Sequence, residues 1–440
     1  MVLAELSTFL PWVQTVYQYL PDEPLQFRLP QQQPSEDVSI KSLIDDHIPE
    51  FQHGSKSTIP PFLYSGHLQT IFASMFTFEN KHLVYYKRWI LNYPDGGEGA
   101  LDICFPKESW MESDYVPKNQ KNPLPDRYTY FSTDEKIGSS DCKPMLIILH
   151  GLTGGSNESY VRSLVDTITN DYNFEACVLN SRGCCHSSLT TPSLYCGLWT
   201  DDVRFCVKEL RKMFPNRKFF LCGVSLGASM AANYLGQESD LSDIELGVVL
   251  GNPWDLTASS YHLERNLIGK YAYTPALAKS LVKLTTSHLD VLKKNPEMAN
   301  LYSEHLNGVK TVEEFDNFFT AKMFGFNTSF EYYRYGTSSN RINKLRTPLL
   351  ILNALDDPIV GHEALPYREV QSNPYTLMLT TTRGGHIGWF DMKLDRWYVK
   401  PLCKLLHRFY TDISMEGRAP DLESVHMPKQ NKFRSDRIQD

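Results

Sequence analysis

The sequence predicts an α/β fold with a mostly parallel central sheet, helices on both faces and a helical cap inserted late in the chain. Short, continuously apolar runs recur: Met145-Leu146-Ile147-Ile148-Leu149, Ala176-Cys177-Val178-Leu179, Phe219-Phe220-Leu221-Cys222, Leu246-Gly247-Val248-Val249-Leu250, Leu349-Leu350-Ile351-Leu352 and Thr376-Leu377-Met378-Leu379. Unbroken apolar runs of this length suit strands covered on both faces. Between several of them lie stretches with helical spacing, such as Val161, Leu164, Val165 and Ile168, or Val203, Val207, Leu210 and Phe214. This alternation is that of a parallel sheet. It stops after Asp255, where the pattern turns helical and aromatic to about 345, and strands then return.

The bounds agree with a globular chain. Its 440 residues are 42% hydrophobic, enough for a sizeable core. The net charge of −7 offers none of the basic excess a nucleic-acid partner calls for. Nine scattered cysteines with no C-x-x-C read as reduced thiols in a cytosolic or cytosol-facing protein, not as a disulfide framework or zinc knuckle.

In chain order, residues 1–80 read as an N-terminal extension. Residues 1–20 are fairly apolar but interrupted by Glu5 and Pro11, and no basic residue precedes Arg28. Neither a signal peptide nor a membrane span fits. A helix packed on the domain is expected there, with a lipid-touching interfacial helix as the alternative. The first part of the core spans 81–255. It opens with a strand over 83–93, the turn Pro94-Asp95-Gly96-Gly97 and a partner strand over 100–105. A polar loop over 106–143 reads as an insertion, partly disordered. Thr200, Asp201 and Asp202 are helix-capping types. The cap spans 256–345, the second part of the core 346–412, and a polar, loose tail 413–440.

The chemistry centres on Gly223-Val224-Ser225-Leu226-Gly227, a G-x-S-x-G between an apolar strand and a helix. Side chains at the two glycines would clash in so tight a turn, and Ser225 is pushed out at the sheet edge. A plain strand-turn-helix with a surface serine is the bland alternative. A serine hydroxyl needs a base, and the base needs a third group to hold its tautomer. In a sheet of this kind the order is Ser, acid, His, each just past a strand. Asp356 and Asp357 follow the strand at 349–353, and His386 in Gly384-Gly385-His386 follows the strand at 376–380. An oxyanion would take the N–H of Leu226 and, from the loop His150-Gly151-Leu152-Thr153-Gly154-Gly155, the N–H of Leu152. Phosphate binding by that loop is set aside, since neither Gly-rich phosphate motif is present. His362-Glu363 lacks the second histidine of a zinc motif, and no metal or cofactor is expected. Asp391, in His386-x₄-Asp391, is taken as coincidental.

As a set, these segments resemble the α/β-hydrolase superfamily and, more narrowly, its family 4, which includes yeast medium-chain fatty acid ethyl ester synthase/esterases and a yeast monoacylglycerol lipase. Gly66-His67-Leu68-Gln69-Thr70, Asn180-Ser181-Arg182-Gly183-Cys184, Asn252-Pro253-Trp254-Asp255 and Asp356-Asp357-Pro358-Ile359-Val360-Gly361 join the motifs above in the match, over roughly 60–410. The resemblance implies Ser225 as nucleophile, Asp357, the second aspartate of the pair, as acid, and His386 as base. It implies medium-chain acyl esters or monoacylglycerol as substrates. Acyl transfer from acyl-CoA to ethanol through the same triad is the alternative, and a silent lipid- or protein-binding relative is a third reading. Contact with a membrane surface or lipid droplet stays open, and the cap is where the acyl chain is expected.

Overall fold

The computed structural model describes residues 12–29, 37–120 and 122–428. The strands are β1 (Val13–Tyr19), β2 (Phe27–Arg28), β3 (Lys56–Thr58), β4 (Tyr85–Asn92), β5 (Glu98–Phe105), β6 (Tyr128–Tyr130), β7 (Met145–Leu149), β8 (Glu175–Asn180), β9 (Phe219–Val224), β10 (Leu246–Leu250), β11 (Leu349–Ala354), β12 (Thr376–Thr381) and β13 (Ala419–Pro420). Eleven of them form one sheet in the order β3-β1-β12-β11-β10-β9-β7-β8-β5-β4-β6. The six central strands from β12 to β8 are parallel, and the antiparallel β5 and β1 flank them.

Both faces of this sheet are covered. The strand pleat sends Leu146 and Ile148 to one side and Ile147 and Leu149 to the other. On the first side lie helices Ser159–Tyr172 and Val399–Phe409, which contribute Val161, Leu164, Leu402 and Phe409. On the second lie helices Asp201–Met213 and Leu226–Glu238, with Val203, Leu210, Ala228, Ala231 and Ala232. The alanines let the helix behind Ser225 press close to its own strand. The expected cap at Thr200 is not made, since that hydroxyl donates to Gln237 instead. Asp202 pairs with the buried Arg182 at 2.7 Å.

Three expectations are corrected. The polar loop expected over 106–143 contains the buried strand β6, which pairs in parallel with β4. The helix expected over 1–20 is, over Val13–Tyr19, strand β1, antiparallel to β12 with Val16 opposite Thr381. The segment is rich in β-branched and aromatic residues. Its two glutamines are buried, Gln14 donating to Ser57 Oγ and Gln18 to Phe51 O. Residues 1–11 lie outside the described residues. The loose tail is the third correction. Over 413–428 it is tied down by β13 on β2 and by Arg28, which bridges Asp37 and Asp421. Residues 429–440 lie outside the described residues.

Between β10 and β11 the chain forms helices, among them Leu256–Arg265, Thr274–Ser287, Pro296–His305 and Ser329–Gly336. Asp255 starts the first by accepting from Ala258 N. Leu281, Leu292, Met298, Tyr302, Phe315 and Phe319 form a satellite core there. Among the described residues no helix is long and apolar enough to cross a membrane.

Candidate active site

Strand β9 ends at Val224 and the next helix begins at Leu226, leaving one residue for the reversal. Ser225 takes φ 53° and ψ −120°, a conformation that a non-glycine residue adopts only under strain. The flanking glycines make it reachable. A Cβ on Gly223 would lie 2.4 Å from Gly227 O, and one on Gly227 would lie 2.4 Å from His150 O. Ser225 N donates to Leu250 O at 2.9 Å, which ties the turn to the neighbouring strand.

The loop after β12 brings in His386. Its Nε2 lies 2.9 Å from Ser225 Oγ, and its Nδ1 lies 2.8 Å from Asp357 Oδ2. Asp357 is 2% exposed, and its Oδ1 accepts from Ile359 N and Val360 N. One carboxylate oxygen thus holds the turn and the other holds the ring. A carboxylate can only accept, so Nδ1 carries the proton and Nε2 is left to accept from the serine hydroxyl. Asp356 points elsewhere, and its Oδ1 accepts from Gly385 N at 2.9 Å. Burial pushes its carboxyl up to about 6.

Leu152 and Leu226 line the same cavity as Ser225 and His386. The loop around Leu152 is pinned by Tyr160 and Tyr195, which no motif in the sequence singles out, and by His150 and Ser181, which lie in two of the matched segments. Gly151 N donates to Tyr160 OH and Thr153 N to Tyr195 OH, each at 2.8 Å. His150 accepts from Ser181 N at Nε2, while Nδ1 meets Gly151 O at 2.7 Å. Burial pushes that imidazole down to about 4, so it stays neutral in this role. Tyr160 and Tyr195 lie 9 and 42 residues from the groups they hold, and Ser181 lies 31 residues from His150, so the loop is held from outside its own motif.

The cavity has a volume of about 150 Å³ and is largely apolar, with Leu152, Leu194, Leu277, Leu281, Phe319 and Met323 among its walls. Of the aromatic residues expected over 256–345, Phe315, Phe319 and Phe324 reach it. Tyr261 and Tyr271 are exposed, and Phe318, Phe326 and Phe330 pack against other residues. Tyr332 and Tyr333 also line it. The charged groups in its walls are Glu264, Glu313, Asp316 and, when protonated, His386, with no lysine or arginine among them. Burial pushes Asp316 up to about 6, and its Oδ2 accepts from Tyr333 OH at 2.8 Å.

The two decoys have ordinary structural roles. Asp391 Oδ1 accepts from Lys393 N and Asp395 N in a turn, and His362 is an exposed side chain beside Glu363.

The family model described as alpha/beta hydrolase fold matches residues 144–391. A Saccharomyces cerevisiae protein named monoacylglycerol lipase is 46% identical over 97% of this chain and 97% of its own length. Medium-chain fatty acid ethyl ester synthase/esterase 2 of the same yeast is 30% identical over 85% of this chain and 90% of its own. Human phospholipase ABHD3 is 27% identical over 80% of this chain and 78% of its own. By the extent of these matches, the chain belongs to the alpha/beta hydrolase fold family.

Proposed function

We propose that Ser225, His386 and Asp357 are the nucleophile, base and orienting acid of a hydrolase acting on medium-chain acyl esters, monoacylglycerol above all. The protein is a serine ester hydrolase, a carboxylic ester hydrolase of lipid metabolism. The observation that carries the residue roles is the relay of 2.9 and 2.8 Å from Ser225 through His386 to Asp357, opening onto an apolar cavity.

Ser225 Oγ attacks the ester carbonyl while Nε2 takes its proton, and Asp357 balances the imidazolium. The tetrahedral oxyanion is met by the N–H groups of Leu226 and Leu152. The start of the helix Leu226–Glu238 adds its positive dipole end. Collapse breaks the C–O bond, and the departing alcohol takes the proton from Nε2. Water then attacks the acyl-enzyme with the same base, and the acid leaves. Residues 256–345 act as a cap whose inner wall receives the acyl chain.

The second reading transfers the acyl group from acyl-CoA to ethanol, and the likeness to the ethyl ester synthase/esterase favours it. Three carboxylates and no lysine or arginine in the cavity wall favour a neutral ester over the polyanionic donor. Product analysis decides, with monoacylglycerol and acyl-CoA of equal chain length, each with and without ethanol. Free acid from monoacylglycerol as the main product supports hydrolysis. Ethyl ester from acyl-CoA as the main product overturns it.

Contact with a lipid surface belongs to the same reading. Phe62, Met75 and Phe76 are exposed on or beside the helix Gly66–Met75, and Leu267 and Tyr271 on the segment between cavity-lining Leu263 and Thr274. The two segments meet where His67 Nδ1 lies 3.0 Å from Tyr273 OH. All nine cysteines are free thiols, which fits a cytosol-facing protein. Sedimentation with phospholipid vesicles tests the contact. Binding that survives Met75→Glu combined with Tyr271→Glu removes this face from the account.

A further inference from the structure

The loop bearing His386 is gripped by contacts that never touch the imidazole. His386 N donates to Thr70 Oγ1 at 2.8 Å, and the same hydroxyl donates to Gly66 O at 2.7 Å. One residue earlier, Gly385 N donates to Asp356 Oδ1 at 2.9 Å. Farther on, Phe390 N donates to Gln69 Oε1 at 3.1 Å. Gly385 has φ 58°, and a Cβ there would lie 2.3 Å from Gly66 O. Gln69 and Thr70 of the helix Gly66–Met75 and the aspartate beside Asp357 therefore hold the chain at the base and on both sides of it.

We propose that Thr70 and Asp356 are positioning residues of the ester hydrolysis, fixing the backbone of His386 so that Nε2 meets Ser225 Oγ. The proposal rests on the reading of His386 as the base. Its reason is geometric. The ring is held at Nδ1 by Asp357 and meets Ser225 at Nε2, but these contacts shift with the ring if its own peptide moves. A misplacement of about 1 Å at a reacting group can cost on the order of 10²-fold in rate. Thr70 and Asp356 remove that freedom from the two successive peptide N–H groups, of Gly385 and His386.

The adjacent aspartates thus divide the work: Asp357 holds the ring and Asp356 the chain that carries it. Neither Thr70 nor Asp356 is among the residues lining the cavity, so neither acts on substrate by direct contact there. Asp356 has a further mark. Its Oδ2 is buried with no hydrogen-bond partner. Its carboxyl faces Arg383, Asp357 and the Gly66 N–H. When ionised it sets a second negative charge beside the Asp357–His386 pair and favours the imidazolium.

The test uses the full chain with Thr70→Val, Thr70→Ser, Asp356→Ala, Asp356→Asn and His386→Ala. kcat, KM, the pH profile of kcat/KM and thermal stability are measured on a short nitrophenyl ester. Thr70→Val and Asp356→Ala should lower kcat about 10- to 100-fold with KM within about twofold. Thr70→Ser, which keeps the hydroxyl, should restore most of it. Asp356→Asn keeps an acceptor for Gly385 N and should lose only several-fold. Because it removes a negative charge near His386, the acid limb of its profile should move to lower pH. Wild-type kcat in folded Thr70→Val and Asp356→Ala overturns the proposal. So do losses that only track the folded fraction while the Asp356→Asn limb stays in place. If Thr70→Val does not fold, the Asp356→Asn limb decides alone. Full activity in His386→Ala would instead refute the base assignment beneath it.

Discussion

Ser225 Oγ and His386 Nε2 lie 2.9 Å apart across 161 residues of chain. The sheet makes this meeting possible: β9 and β12 both run toward the same edge, and each candidate residue sits just beyond its strand.

Asp357→Asn should cost far more activity than Asp356→Asn. An amide at 357 no longer fixes the Nδ1–H tautomer, a defect expected to lower kcat by about 10⁴. At 356 it still accepts from Gly385 N. Side-by-side kcat/KM values check this, and a larger loss at 356 would reverse the two roles.

Tyr195→Phe removes the acceptor for Thr153 N and loosens the loop that presents Leu152. Losing one oxyanion donor outright costs about 10²–10³ in kcat. Loosening it should cost less, about tenfold, with KM little changed. A Phe variant that changes KM alone would mean that Tyr195 acts only as cavity wall.

How much of this was legible in the sequence depends on the range of the contact. Ser225, His386 and the pair Asp356-Asp357 each follow an apolar strand and sit among Gly or Pro, a local signature that a single chain displays, whereas the choice of Asp357 within the pair comes from the family resemblance. Thr70 and Tyr195 carry no such signature, because their partners are 316 and 42 residues away. Strand β1 is hidden in the sequence for a different reason. Buried Gln14 and Gln18 break the apolar alternation, and their amide N–H groups find acceptors only on the distant Ser57 and Phe51. The aromatic residues of 256–345 announced a helical layer, but which of them face the cavity depends on packing within it.

Phe319→Ala should shift the preferred acyl chain length, whereas Tyr271→Ala should not. Phe319 lines the cavity and Tyr271 is 72% exposed. Each buried methylene is worth about 0.8 kcal/mol, or about fourfold in kcat/KM. The wild-type series should therefore climb and then fall at medium length, with acetyl esters little affected by either change. A flat series would show that the cavity does not select the chain.

Asp316→Asn should stabilise the protein at pH 8 and cease to do so by about pH 4. Its carboxyl is pushed up to about 6 in the folded state, against an ordinary value near 3.8, mainly by burial. The folded state therefore holds this proton more tightly than the unfolded one. The cost of ionising it is fully present above pH 6 and is relieved as the pH falls through that range. Thermal melts of both proteins across pH 4–8 check the sign, and a difference that is constant with pH would contradict it.

The central claim is an acyl-enzyme on Ser225. The most direct measurement is intact-mass and peptide mapping after reaction with a fluorophosphonate, on wild type and Ser225→Ala. The account predicts one adduct per chain on the peptide containing Ser225, and none on the variant. It also predicts that the variant, still folded, loses about 10³-fold or more of its turnover. An adduct on another residue, or a variant that keeps more than about a tenth of wild-type turnover on a nitrophenyl ester, would contradict it.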